Sequence, residues 1–262
     1  MALHGDLDVS VLDELPPGRK PGRTVLEDAA AMPKVLRLME REIARGHQVY
    51  FVCPLVEESE SVDLQAATER YESLSRGALK GRRVALVHGR MSSEEREQVM
   101  AAFGSGEVDV LVATTVVEVG VDVPNATLMV IEHAERFGLS QLHQLRGRVG
   151  RGPAPATTVL LTHGTLTPEA ELRLKAMVET SDGFVISERD LEIRGPGDYF
   201  GTRQSGAPVF RIADILRDEE LREAAKRDAA ELLRAGRVEA DDELVGHVIR
   251  EWGERFGLAA AG

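Results

Sequence analysis

The chain has little of several residue types, and each shortage narrows what it can be. A single cysteine, Cys53, among 262 residues cannot form an internal disulfide, so the cytoplasm is the default location. The seven histidines are scattered without the spacing of metal ligands, and we expect no metal site. No apolar run approaches the roughly 18 residues that a membrane span requires, and no export signal is visible. We therefore predict a cytoplasmic protein with no membrane partner.

Basic residues are also in the minority. The chain has 32 lysines and arginines against 44 acidic residues, which gives a formal net charge of -12. Proteins that bind DNA by themselves neutralise its phosphates with a basic face. Any contact with DNA should therefore be a narrow patch that works together with other domains and binds weakly alone.

Three motifs that hold nucleotides are missing from the sequence. No Gly-x-x-x-x-Gly-Lys-Ser/Thr string occurs, so no loop of this chain cradles the phosphates of a nucleotide. No Asp-Glu-x-His or Asp-Glu-Glu-His string is present to hold Mg²⁺. No Gly-x-Gly-x-x-Gly follows the first predicted strand, which argues against a dinucleotide-binding enzyme.

Short apolar strands alternate with amphipathic helices up to about residue 162. This alternation predicts an α/β protein with a parallel sheet that is covered on both faces. The helix over 92–104 begins with Ser92-Ser-Glu-Glu95, which has the form of a capping box. The strands are predicted at 49–55, 83–87, 108–113, 127–132 and 157–162.

The two ends of the chain have a different character. Residues 1–30 show no clear periodicity and contain a proline- and glycine-rich turn. After residue 162, helices are predicted at 167–179, 187–193, 218–233 and 242–256. A glycine-rich loop over 194–206 separates the second of these helices from the third.

Two segments contain most of the chemical information. Ala113–Pro124 is rich in threonine and valine and ends in Gly120-Val-Asp122, and Gln141–Gly152 concentrates glutamine, arginine and glycine. The planar guanidinium of arginine suits phosphate, and glycine lets the backbone approach an anion closely. An arbitrary arginine-rich segment is usually a solvated basic helix. The spacing Gln-x-x-Gly-Arg-x-Gly-Arg after an apolar strand is far more specific.

These segments resemble motifs V and VI of superfamily 2 helicases, and the flanking residues resemble the C-terminal part of the RecG family of ATP-dependent DNA helicases. The resemblance covers essentially the whole chain. It implies a RecA-like parallel sheet lobe with helices on both faces, followed by a mostly helical C-terminal extension. The corresponding divisions are a connector between lobes at 1–30, the lobe at 31–165, and a helical hairpin, translocation loop and terminal helices at 166–262.

The resemblance also assigns roles near the nucleotide. In motif VI, Arg148 and Arg151 would reach the nucleotide and Gln144 would couple this site to DNA. Arg146 is left open between such a role and a surface charge. In motif V, Asp122 would accept a ribose hydroxyl and Gly120 would allow close approach. Many helicases of the superfamily have arginine directly after the glutamine, whereas this chain has Leu145, a departure that RecG proteins share.

Other residues would contact DNA or convert nucleotide turnover into movement. Thr114 and Thr115 would hold a DNA phosphate, and His88-Gly89-Arg90 would grip the backbone. Leu191–Gly197 and Gly201–Gly206 are similar to the translocation motif that RecG shares with the transcription-repair coupling factor. In that motif, Arg173, Arg194 and Gln204 would be the coupling residues.

The resemblance predicts the second motor lobe of a double-stranded DNA translocase that acts on stalled forks and branched recombination intermediates. The intact protein would use ATP with Mg²⁺, which this chain alone would neither hold nor hydrolyse. The partners would be forked DNA, an N-terminal motor lobe with its wedge domain, and a single-stranded-DNA-binding protein. Two alternatives stay open: the equivalent lobe of a transcription-repair coupling factor, and a non-catalytic module that docks on a partner ATPase or DNA.

Overall fold

The fold is described from a computed structural model. It describes residues 22–54, 60–114, 122–199 and 218–235, together with residues 243 and 247. The terminal helix predicted over 242–256 lies otherwise outside these residues, as does most of the connector.

Within the described ranges, six parallel strands form one sheet in the order β1-β6-β5-β2-β4-β3. Strands β2, β4 and β5 lie in the interior of the sheet and are buried over their whole length, as expected for parallel strands covered on both faces. The edge strand β1 is only partly buried. The strands are β1 (Arg23–Asp28), β2 (Gln48–Val52), β3 (Val84–Val87), β4 (Val110–Ala113), β5 (Ala126–Glu132) and β6 (Thr157–Thr162).

Proline, glycine and capping residues mark where the helices begin and end. Pro33 lies in the first turn of the first helix, and Gly46, with φ of 84°, follows its end. Ser92 and Glu95 form the predicted capping box. The described helices are α1 (Met32–Ala44), α2 (Glu60–Arg76), α3 (Ser93–Gly104), α4 (Leu139–Arg146), α5 (Pro168–Glu179), α6 (Gly183–Tyr199) and α7 (Glu219–Arg234).

Each face of the sheet has its own apolar core. On one face, α1 packs against β2 and β5 and α2 packs against β3 and β4, burying side chains such as Met39 and Leu74. On the other face, Phe103 of α3 stacks edge-on against Tyr50 of β2, with ring centroids 4.8 Å apart. Leu142 of α4 belongs to this second core. The predicted α/β lobe with helices on both faces is therefore confirmed.

The first two helices after β6 pack with the sheet. Leu174 and Met177 of α5 and Ile186 of α6 lie in the same core as Leu142. The compact unit around the sheet extends to Pro196. Packing with the sheet thus continues through α5 and into α6. Helix α7 belongs to a second unit.

Two differences from the sequence expectations stand out. Arg23–Asp28 forms the edge strand β1, within residues interpreted as connector. Helix α6 begins at Gly183 and continues through Arg194 to Tyr199, so it is longer than predicted at both ends. Residues 194–199, which were predicted as loop, are helical.

No described helix is long and apolar enough to cross a membrane.

Candidate functional site: a motif VI cluster at the amino edge of the sheet

Motifs V and VI meet next to the first residue of β5. The Arg151 guanidinium lies 3.4 Å from the Asp122 carboxylate, and its Nε donates to the carbonyl of Gly147 at 3.1 Å. The backbone N–H of Gly150 donates to the carbonyl of Ala126 at 3.3 Å. The cluster therefore lies at the amino ends of the strands, because Ala126 begins β5.

Two glycines permit this close packing. Gly150 has φ of 75°, and a Cβ added there would lie 2.9 Å from the Cβ of Ala156. A Cβ on Gly152 would lie 2.4 Å from the carbonyl oxygen of Pro124. A side chain at either position would push the segment away from β5, so the glycines of the motif hold the arginines in place.

The charges of this cluster affect the pKa of Tyr50 in β2. Burial raises the pKa of the Tyr50 phenol to about 12. The positive charges of Arg148 and Arg151 oppose that rise, and the Asp122 carboxylate adds to it. Arg148, Arg151 and Asp122, the predicted nucleotide residues that the structure describes, therefore act on one side chain. Gln144, which is predicted to couple the site to DNA, is exposed on α4.

Arg146 has a different role from its neighbours. It is only 8% exposed, and one guanidinium nitrogen donates to the carbonyls of Met177 at 2.9 Å and Thr180 at 2.7 Å. Its other terminal nitrogen lies 2.9 Å from Nδ1 of His143. Burial lowers the pKa of this guanidinium. Arg146 is thus neither a surface charge nor an anion contact, because it binds the carboxyl end of α5.

The His143 ring supports the same junction. A Cβ on Gly183, the first residue of α6, would lie 3.2 Å from Nε2 of His143. One side of α4 therefore packs against the turn between α5 and α6. The chain that follows α4 contains Arg148 and Arg151. We call the contact of His143 and Arg146 with residues 177–183 the α4 joint.

Those predicted DNA contacts that the structure describes lie at the opposite edge of the sheet. His88 follows β3 and Thr114 follows β4, and the Thr114 N–H donates to the carbonyl of Val87 at 3.2 Å. Gly89 and Arg90 are exposed. Thr114 is only 1% exposed. Its hydroxyl and Nδ1 of His88 are buried atoms without a hydrogen-bond partner among the described residues.

The carboxyl edge also contains a charged cluster that the sequence did not reveal. The Glu132 carboxylate, 5% exposed, accepts a bidentate contact from Arg70 of α2. The rings of His133 and His163 stack with centroids 3.8 Å apart, and His163 lies 3.6 Å from Glu132. No group of described residues is arranged to hold a metal ion. Glu132 ends β5, and His133 and His163 directly follow β5 and β6. That shared position is the signal that could have grouped these three residues.

Arg173 links α5 to this edge. Its guanidinium donates to the carbonyl of Glu135 at 3.0 Å, and the Glu135 carboxylate accepts from the backbone N–H of His163 at 3.3 Å. Thr115, Gly120 and Gln204 lie outside the described residues, and of Arg194 only the helical backbone is described.

Comparison with known proteins identifies the class of this site. The helicase conserved C-terminal domain matches residues 30–153, a range that contains the whole motif V and VI cluster. The chain is therefore a RecA-like helicase lobe that carries motifs V and VI. A second family, described as ATP-dependent DNA helicase RecG, domain 3, C-terminal, matches residues 180–246.

Whole-chain relatives define the family. The chain is 51% identical to the ATP-dependent DNA helicase RecG of Acidithiobacillus ferridurans over 263 residues, which cover 100% of this chain and 38% of that protein. It is 52% identical to the RecG helicase of Escherichia coli strain K12 over 222 residues, 84% of this chain and 32% of that protein. The chain belongs to the RecG family and corresponds to its C-terminal part.

A solved RecG structure supports the same family assignment. RecG bound to a three-way DNA junction superimposes with a TM-score of 0.66 and 45% identity, covering 84% of this chain and 28% of that chain. The matches favour RecG over the coupling-factor alternative. This chain spans about a third of the length of these relatives.

Proposed function

We propose that the chain is the second motor lobe of an ATP-dependent translocase on double-stranded DNA that remodels stalled forks and branched recombination intermediates. The observation that carries this proposal is the meeting of motif V and motif VI in the ion pair between Asp122 and Arg151. The relative solved on a three-way junction supports branched DNA as the substrate.

The cluster at the amino edge is suited to the phosphates and ribose of a nucleotide. Phosphoryl transfer is accelerated mainly by positive charges placed against the charge that develops on the γ-phosphate. Arg148 and Arg151 supply such charges, and the Asp122 carboxylate holds Arg151 in position and offers an acceptor for a ribose hydroxyl. Gly120 of motif V would let the nucleotide approach.

The same cluster does not suit Mg²⁺. Its one described carboxylate, Asp122, is paired with a guanidinium, whereas Mg²⁺ is held by oxygen ligands with little competing positive charge. ATP with Mg²⁺ would therefore be bound chiefly by the N-terminal motor lobe of the intact protein, and this chain would complete the site with cations.

DNA would lie across the carboxyl edge. His88, Gly89 and Arg90 would contact the backbone, and the hydroxyls of Thr114 and Thr115 would hold a phosphate. Such contacts position the duplex without reading its sequence. The net charge of -12 implies that the wedge domain of the intact protein supplies most of the affinity, with a single-stranded-DNA-binding protein as a further partner in the cytoplasm.

Movement would pass through the hairpin of α5 and α6. The α4 joint ties α5 to the helix that precedes Arg148 and Arg151, and Arg173 ties α5 to the carboxyl edge. Arg194 and Gln204 would transmit the shift of the hairpin to the DNA. Gln144, exposed on α4, would couple the nucleotide to this movement.

The test compares ATP hydrolysis by the whole protein that contains this chain with hydrolysis by the chain alone. Replacing Arg151 by alanine in the whole protein should lower DNA-stimulated hydrolysis by about 10³-fold or more and leave binding to a three-way junction within about twofold. Arg136→Ala, an exposed control on the same lobe, should change neither. The chain alone should hydrolyse no ATP.

Two results would contradict the proposal. One is DNA-stimulated ATP hydrolysis by the purified chain. The other is equally fast ATP hydrolysis by the Arg151→Ala and Arg136→Ala variants of the whole protein.

A further inference from the structure

The edge strand β1 is only partly covered on one face of the sheet. On the face that carries α1 and α2, those helices pack on the four strands β5, β2, β4 and β3. On the opposite face, α5 packs against β1. On the α1 side, Val159 of β6 is buried in the same core as α1, whereas Val25 of β1 is only half-buried. Because sheets of this class are normally covered on both faces, the α1 side of β1 is an incompletely covered strip among the described residues.

A groove of about 430 Å³ lies over this strip. Its floor contains Val25 of β1 and Val159 of β6, and its wall is α1 with Leu38. Val25 and Leu38 are half-buried, so apolar surface is open to solvent along the groove. The volume falls within the range of about 300–1,000 Å³ that is usual for binding pockets. We call this feature the β1–α1 groove.

The rim of the β1–α1 groove is strongly basic. Lys34, Arg37 and Arg41 line it and are exposed, and their spacing of three and four residues puts them on one side of α1. Arg23 lies at the start of β1. The lone acidic residue lining the groove, Glu27, is neutralised by Lys34 at 2.5 Å.

The remaining cations are available to a partner. Arg41 has a loose contact with Glu42 at 3.7 Å. In the described part of the chain, neither the Arg23 nor the Arg37 side chain has an ion pair or hydrogen bond that satisfies it. A concentration of positive charge is unexpected on a chain of net charge -12, so a ligand of opposite charge would be recognised here and repelled elsewhere.

We propose that the β1–α1 groove binds an acidic amphipathic helix of a partner protein. Its apolar stripe would cover Val25 and Leu38, and its flanking carboxylates would pair with Arg37 and Arg41. A helix lying beside α1 would extend the α1 layer over the edge strand β1. Nucleic acid fits less well, because a phosphate backbone has no apolar side chains to cover the floor of the groove.

The first experiment measures binding of a designed peptide to the 262-residue chain by fluorescence anisotropy. The probe is an 18-residue helix with leucines at spacings of three and four residues, flanked by glutamates. We expect saturable binding that weakens as salt is raised. The same peptide with glutamine in place of glutamate should bind at least tenfold more weakly.

Charge reversal locates the site. Arg37→Glu/Arg41→Glu should weaken binding of the peptide about tenfold or more. The control, Arg76→Glu/Arg82→Glu, changes the net charge equally on exposed residues at the far side of the same face, and should alter binding less than twofold. A peptide with lysine in place of glutamate should prefer the Arg37→Glu/Arg41→Glu variant. This charge swap shows that the variant is folded.

Four outcomes would overturn the proposal. The first is no saturable binding of the peptide, and the second is equal loss of peptide binding in both double variants. The third is binding of a single-stranded oligonucleotide of equal charge that depends on Arg37 and Arg41, which would make the groove a phosphate site. The fourth is a whole protein that does not bind the peptide that the chain binds, which would show that a segment of the same polypeptide covers the groove.

Discussion

Replacing Arg146 by methionine tests the α4 joint most directly. Methionine retains much of the apolar volume of the arginine stem and removes the guanidinium. The carbonyls of Met177 and Thr180 would then lose the donor that now reaches them at 2.9 and 2.7 Å. In the native structure these two bonds end α5 and fix the turn into α6.

The magnitude follows from opposing contributions. Each hydrogen bond from a charged group contributes about 1.5–3 kcal/mol, and a buried carbonyl left without a donor costs about 1–3 kcal/mol. Removing a buried charge recovers part of its desolvation cost, and burial does lower the pKa of Arg146. We therefore expect Arg146→Met to lower the free energy of unfolding by about 2–4 kcal/mol.

The assay combines urea unfolding, followed by far-ultraviolet circular dichroism, with hydrogen exchange of backbone amides. Protection should fall most in residues 177–186, because the joint holds the end of α5 and the start of α6. Arg136→Met, an exposed change on the same lobe, should stay within about 0.5 kcal/mol of the native chain. An Arg146→Met variant as stable as this control, with unchanged exchange in 177–186, would refute the reasoning.

Three further predictions concern single positions. Burial, together with the neighbouring His133, lowers the pKa of His163 below its ordinary value of 6.5. The unfolded chain therefore takes up the proton first, and stability falls as pH drops below about 6.5. His163→Phe should show a smaller loss of urea midpoint between pH 7.5 and 5.5 than the native chain, and an equal loss would contradict this. Burial raises the pKa of the Cys53 thiol to about 12, so a thiol reagent at pH 8 should label it only as fast as the chain opens, and urea should accelerate labelling sharply. Gly150→Ala should lower the free energy of unfolding by about 1–3 kcal/mol, because its φ is positive and the added Cβ would lie 2.9 Å from the Cβ of Ala156. Gly164→Ala, with positive φ but open space around it, should cost less.

Much of the fold could be predicted because the interior strands are continuous apolar runs. Strand β6 (Thr157–Thr162) begins and ends where the pattern placed it, and β4 and β5 differ by one or two residues. Strand β1 was missed because it lies at the edge of the sheet, where Arg23, Glu27 and Asp28 are tolerated and leave no apolar run.

The resemblance named candidate site residues but did not place them in the sheet. Arg151 and Asp122 lie beside the start of β5, whereas open α/β sheets usually bind ligands after the strands. A signal was available, because a segment that precedes a strand of a parallel sheet must lie at the amino edge. Arg146 gave no such signal. Its partners are carbonyls 31 and 34 residues away, and backbone acceptors leave no mark on side-chain identity.

The eight residues of α4 also set a limit on how this protein can vary. A helix of that length advances about 12 Å, and each added or removed residue would turn everything after it by about 100°. A single insertion between His143 and Arg146 would turn Arg146 away from His143 and break the α4 joint. It would also move Arg148 and Arg151 away from Asp122, although no strand would be altered. The number of residues between the α4 joint and the two arginines is therefore fixed by helix geometry. The length of the turn around Gly164, where there is open space, is free to change.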